Sequence, residues 1–326
     1  MKIESRRSEI GNRKSQVGDG RAEGPGRLSP AAADESAPGL ISVSCNICVS
    51  TEASLIAVQS GWRMTQCARC GLAYVNPRPD EAGLRRHYQT YRPPGTETVD
   101  DWERMMAPLF DDTVRRISRL IPPAEGGAKT RRVLDVGCAQ GGFLARMAGM
   151  GWDAEGIDLS AGSVAAARAR GLSVRESSLD EARFPSASFD VVTAFYVLEH
   201  VTDPAGFLRE VRRVLSPRGL AVIRVPHTTP IVRLLGFLRI PNTLYDMPSH
   251  LFDFSPGVLG RMLEETGFEI METTPQRPTV RPRLGDRWIT YAGFAAATAV
   301  HAISNGRRHF PGVSTTTFAR RFGGKD

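Results

Sequence analysis

No run of roughly 18 or more apolar residues occurs in the 326-residue chain, so a membrane-spanning helix is not predicted. The N-terminal stretch is polar throughout, and a signal peptide, which needs an apolar segment, is not predicted either. Cysteine is sparse, with five in all. Four of them fall in two C-x-x-C pairs, a usage that points to a metal site in a reducing compartment. The dinucleotide fingerprint G-x-G-x-x-G is missing from the glycine-rich turn near residue 140, which opposes a nicotinamide oxidoreductase. No Ser/His/Asp or metal-hydrolase arrangement competes for chemistry.

What is present is an ordinary globular balance, 41% hydrophobic and 24% charged, in a length that suits one large domain and a small one. The net charge is +7, and its distribution is uneven. Residues 1–40 carry seven basic and six acidic side chains, whereas residues 275–326 carry nine basic and two acidic. The C-terminal segment therefore supplies the whole excess. Nucleic acid, anionic lipid, a phosphorylated substrate and simple solubility are all compatible with it.

Residues 1–40 are rich in Ser, Gly, Arg, Ala and Pro without hydrophobic periodicity and read as a disordered leader. A small cysteine domain follows over 41–78. Cys45-x2-Cys48 and Cys67-x2-Cys70 are separated by 18 residues, the pattern of a four-thiolate zinc ribbon. Between them, 54–60 and 62–66 read as short strands joined at Gly61. Four thiolates fill a tetrahedral ion, so the metal is expected to hold structure and not to catalyse. Residues 79–130 read as a helical linker or lid: a helix over 79–91 carrying Leu84, His87, Tyr88 and Tyr91, then one over 102–121. From Arg132 strands and helices alternate, which predicts a parallel sheet covered on both faces. That α/β core is expected to span 131–326, with pocket-shaping insertions at 226–256 and 281–310.

The core opens with Val133-Leu-Asp135-Val-Gly137-Cys138-Ala-Gln-Gly141-Gly142-Phe143, a buried strand, a glycine turn and a helix start. The glycines let backbone approach a ligand, and the helix points its first N–H groups at it. Asp135 at the strand tip would repel phosphate but attract a cationic ligand. This stretch resembles the first motif of the class I S-adenosylmethionine-dependent methyltransferases, V-L-D-V-G-C-G-x-G-x-F, departing only at Ala139. The resemblance implies a doubly wound, mostly parallel seven-stranded sheet and S-adenosylmethionine as cofactor, contacted by Asp135, Gly137, Cys138 and Gly141. Asp158, 23 residues after Asp135, stands where the family keeps the acid that accepts the ribose hydroxyls, with Leu159 beside it. Where the family usually has Gly-Asp for adenine, this chain has Ser177-Ser178, so Ser178, the Leu179 backbone or Asp180 takes that place. Residues 189–201 resemble the family's F-D-V-V-x-x-x-x-V-L-E-H-V, which puts Phe195 and Tyr196 at a strand exit facing cofactor or acceptor, with Glu199 orienting the loop.

The segment running from Cys70 through Asn76-Pro-Arg-Pro79 to the tyrosine helix resembles zinc-ribbon methyltransferases acting on sugars and other small metabolites. Tyr88 and Tyr91 then read as acceptor contacts or as packing between domains. The Asn/Asp-Pro-Pro-aromatic loop of enzymes that methylate DNA-base amines is absent, and no sequence-specific nucleic acid partner is expected. Three histidines lie at predicted cleft edges as candidate bases, ranked His250, His227, His200. The segment 288–303 reads as a helix over the pocket, a dimer surface or an interfacial membrane helix. The expectation is a cytoplasmic methyltransferase, membrane-peripheral at most and monomeric or homodimeric. It would use S-adenosylmethionine and a structural Zn2+ to methylate an O or C atom of a small molecule, sugar or glycan precursor, phosphorylated and lipid-linked forms included. The alternative is a non-enzymatic ribbon module that grips nucleic acid or protein beside a vestigial core.

Overall fold

The structure, a computed structural model, describes residues 39–90, 99–121, 130–242, 244–275, 284–304 and 314–322. The expected leader lies outside them up to residue 38, as do Tyr91, Arg281 and Arg308. Five short strands come first: β1 (Leu40–Ile41), β2 (Ala53–Gln59), β3 (Trp62–Cys67), β4 (Ala73–Val75) and β5 (Arg78–Pro79). β2 and β3 form the expected hairpin, turning at Gly61 with φ 82°. α1 (Glu81–Thr90) begins later than expected. Asp80 caps it, its carboxylate accepting the Gly83 N–H at 2.6 Å, while Pro79 pairs with Leu40 in β5. α2 (Val99–Leu120) buries Met106, Leu109 and Ile117, near helical spacing, against the sheet.

The core runs β6 (Arg132–Val136), α3 (Gly142–Gly149), β7 (Asp153–Asp158), α4 (Ala161–Ala169), β8 (Ser173–Glu176), β9 (Phe189–Phe195), α5 (Pro204–Val214), β10 (Leu215–Val225), α6 (Thr229–Phe237), β11 (Phe252–Asp253), α7 (Pro256–Glu265), β12 (Phe268–Thr274), α8 (Leu284–Ile303) and β13 (Thr315–Arg321). Ser160, Asp203 and Ser255 cap α4, α5 and α7 through their side chains, as their spacing to the following helix predicts. β10 starts at Leu215 and takes in Pro217-Arg-Gly219 as a bulge between Leu215 and Leu220.

Seven strands form one sheet in the order β12-β13-β10-β9-β6-β7-β8. All pairs from β10 to β8 are parallel, and β13 inserts antiparallel between β10 and β12. The chain winds outward from β6 through β7 to β8, then returns to β9 and winds the other way. The winding reverses between β6 and β9, the point at whose strand carboxyl ends sheets of this kind bind ligands. One face of the sheet packs Leu134, Val192 and Ile223 into a large cluster; the other packs Val133, Val191 and Val222 against α2 and α3.

A second sheet, β11-β4-β3-β2, ties the cysteine segment to the core, because Phe252 of the late insertion pairs with Tyr74. Cys45, Cys67, Cys70, Leu72 and Tyr74 share the large cluster with core residues. A two-residue strand has no alternation to read, so sequence reasoning missed β11. Among the described residues no helix is long and apolar enough to cross a membrane.

Candidate active site

The glycine turn sits at the reversal. Gly137 and Gly141 adopt φ 71° and 79°, a region open to glycine at little cost. A Cβ at Gly137 would lie 2.6 Å from Val197 Cγ2, and one at Gly141 2.3 Å from Leu172 Cδ1. The first contact shows the exit loops of β6 and β9 pressed together. No side chain caps the N-terminus of α3, which leaves its leading N–H groups without a side-chain partner.

The two expected carboxylates flank this turn. Asp135 is 2% exposed and accepts the Thr193 hydroxyl at 2.6 Å. Burial pushes its carboxyl up to about 7, the Thr193 hydroxyl opposing and the nearby Asp158 adding to the rise. Asp158 accepts the N–H groups of Ala139 at 2.9 Å and Ser160 at 2.8 Å, and so clamps the turn to the tip of β7. Burial raises its pKa, and these backbone donors offset part of the rise. Beside the turn lies a small, shallow hollow lined by Trp102, Glu103, Phe110, Cys138, Gln140 and Gly142. The Gln140 side-chain oxygen is buried there with no hydrogen-bond partner, as in a site awaiting a donor. The hollow's enclosed space is only about 10 Å³, room for about one water and far below the several hundred Å³ of a small-molecule pocket. Glu103, bound to Arg170 at 2.8 and 3.2 Å, holds α2 against its mouth. The turn, the acid at β7 and the orphaned amide have the chemistry to take an adenosyl group, but Trp102 and Glu103 leave no room for one in this conformation.

The remaining expected contacts spread around this centre. Leu159 is exposed. The Ser178 hydroxyl donates to Glu181 at 2.8 Å, and Leu179 is buried in the core. Phe195 packs edge-on against Phe110 and Phe143, one ring behind the hollow. Tyr196, at φ 58°, accepts Arg224 Nε on its hydroxyl at 2.8 Å. Trp102, Glu103, Gln140 and Arg224 were missed by sequence reasoning. Only Gln140, inside the glycine motif, carried a signal that could have found it.

The three histidines separate into two places. His200 and His250 meet edge to face, their ring centroids 4.8 Å apart, and both adjoin Glu199. Enclosure pushes the His200 ring down to about 3 and the His250 ring to about 4. Burial pushes the Glu199 carboxyl up to about 8, opposed in part by its own backbone N–H and by Arg224. Tyr88 reaches the same cluster, its hydroxyl donating to Ser249 O at 2.7 Å. His227 stands at the exit of β10, half-buried, with its Nδ1 enclosed and without a partner. Burial lowers its pKa against the pull of Asp253.

The four cysteine sulfurs converge within 4.8 Å of one another, Cys45 to Cys70 at 3.3 Å and Cys48 to Cys67 at 3.4 Å. These distances are well beyond an S–S bond of about 2.05 Å and suit thiolates sharing one ion, so the cluster fits a zinc ribbon. Each knuckle closes alike: Val49 N–H donates to Cys45 O and Gly71 N–H to Cys67 O, both residues having positive φ.

Comparison with known proteins agrees with this geometry. A family model described as a methyltransferase domain matches residues 102–273. The ubiquinone biosynthesis O-methyltransferase of Pseudomonas aeruginosa (strain UCBPP-PA14) is 30% identical over 183 residues, 53% of this chain and 78% of that protein. The protein of the same name from Thiobacillus denitrificans is 34% identical over 155 residues, 44% of this chain and 67% of that protein. Among solved structures, phosphoethanolamine N-methyltransferase 2 of Haemonchus contortus in complex with S-adenosyl-L-methionine superposes with TM-score 0.50. It is 17% identical and covers 77% of this chain and 63% of that one, a likeness of fold.

Proposed function

The chain belongs to the methyltransferase-domain family, within the class I S-adenosylmethionine-dependent methyltransferases, and from that premise we propose that it methylates an oxygen or carbon atom of a small molecule, a sugar or glycan precursor among the candidates. The observation that carries this reading is the glycine turn at the winding reversal, with a carboxylate on either side of it. Asp135, Gly137, Cys138 and Gly141 form the floor of the cofactor site. Asp158 and Leu159 receive the ribose, Ser178 and Leu179 the base, and Phe195 and Tyr196 the boundary with the acceptor. The unpartnered Gln140 oxygen offers a further acceptor atom. The bound cofactor supplies an electrophilic methyl group. What the chain must do is hold the acceptor atom in line and remove its proton.

We assign that proton to His227. Burial lowers its pKa, its Nδ1 has no competing partner, and it leaves β10 beside Tyr196 at the exit of β9, whose N–H donates to Arg224 O. His250, ranked first on sequence, is gathered with His200 and Glu199 instead. The ribbon sheet, joined to the core through β11, is proposed to hold Zn2+ and to brace the acceptor side. The alternative of a non-enzymatic module draws no support from the intact turn and acids.

The test incubates the pure protein with methyl-labelled S-adenosylmethionine and a small-molecule extract. Label is expected in a low-molecular-weight product, and His227→Asn is expected to lower its rate at least tenfold while cofactor affinity holds. No labelled product from any small-molecule fraction, with label in added DNA or protein instead, would overturn the assignment.

A further inference from the structure

Glu199 is fully buried, and neither carboxylate oxygen has a hydrogen-bond partner of acceptable geometry. A buried carboxyl left in that state costs free energy unless something binds it. Around it stand two imidazoles. One ligand atom each from Glu199, His200 and His250 lies within 4.8 Å of the others. The histidines are half-buried, so the cluster is closed behind Glu199 and reachable from the histidine side.

The surrounding contacts are those that orient metal ligands. His200 Nδ1 lies 2.8 Å from Ser249 O; donating there, it keeps Nε2 as the lone-pair nitrogen. The same carbonyl accepts the Tyr88 hydroxyl, and His87 Nε2 holds the Ser249 hydroxyl at 2.9 Å. His250 Nε2 lies 3.9 Å from Asp246 Oδ2, beyond hydrogen-bond distance, so this carboxylate is a nearby negative charge and not an orienting partner. The distances also suit an ion. Ligands about 2.1 Å from a common centre are at most about 4.2 Å apart, so the widest pair closes by under about 1 Å, within reach of small side-chain rotations.

We propose that Glu199, His200 and His250 form a divalent-cation site distinct from the four-cysteine cluster. Two imidazole nitrogens and one carboxylate suit Mn2+, Fe2+, Co2+ or Zn2+, and three protein ligands leave coordination positions for water or an acceptor oxygen. The site stands independently of the methyl-transfer reading, because it needs only these three residues.

The test is Mn2+ titration of the zinc-loaded full chain, followed by electron paramagnetic resonance of free Mn2+, since Mn2+ favours oxygen and nitrogen over thiolate. One Mn2+ per chain is expected. Glu199→Gln and His250→Asn should each weaken binding at least tenfold, and Glu199→Asp should restore part of it. A Cys48→Ser chain that still folds should bind Mn2+ unchanged. Absence of bound Mn2+ in the wild type, or binding that neither Glu199→Gln nor His250→Asn weakens, would overturn the proposal. So would loss of Mn2+ in the folded Cys48→Ser chain.

Discussion

Asp135 sits near the tip of β6, buried, with the Thr193 hydroxyl as its donor and no ion pair among the described residues. Its carboxyl therefore holds its proton up to about 7, against an ordinary 3.8. The sign follows from linkage. The folded state binds this proton more tightly than the unfolded chain, so its contribution is present below 3.8 and is lost as pH rises toward 7. Asp135→Asn is expected to flatten this decline: between pH 5 and pH 8, in the absence of cofactor, its melting temperature should fall less than that of the wild type. Equal slopes in parallel thermal melts would contradict the burial argument. The residue was legible in sequence because it ends a strand in a recognisable motif. Glu199 was legible only as a loop-orienting residue, since its two histidine neighbours come together through a contact spanning some fifty positions that no local pattern encodes.

Elements were legible in proportion to their length and periodicity. α5 carries the plainest local signals, Asp203 as cap before Pro204 and the buried stripe Leu208, Val211, Val214. β4 and β11 did not, for two or three residues carry no period and their pairing joins distant segments. α2 was foreseen as a helix, but its position over the glycine turn was not. Glu103 reaches Arg170, and Arg170 also donates to Gln140 O at 2.9 Å, so one arginine ties α2 to the glycine turn. On the proposed reading, cofactor entry displaces the start of α2, because the hollow beside the turn is too small for an adenosyl group. Hydrogen–deuterium exchange is expected to change across residues 99–110 on addition of S-adenosylmethionine, with α7 unchanged; an unaffected α2 would contradict the lid assignment.

For the whole molecule, the alternation of strands and helices predicted the parallel sheet, and the family resemblance supplied its seven strands. The strand order explains why the motifs, scattered from 133 to 200, act in one place: reversing the winding between β6 and β9 brings their exit loops side by side. The sequence pattern could not show how fully the cysteine segment is built into this body. It shares a sheet and a hydrophobic cluster with the core, so metal loss there should lower the melting temperature of the whole body and not only loosen the ribbon.

The most direct measurement is calorimetric titration of pure protein with S-adenosylmethionine. The account predicts one site per chain, no heat of binding with NAD, and affinity at least tenfold weaker (about 1.4 kcal/mol) in a folded Asp158→Ala chain. No binding of S-adenosylmethionine, or equal affinity with and without the Asp158 carboxylate, would contradict it.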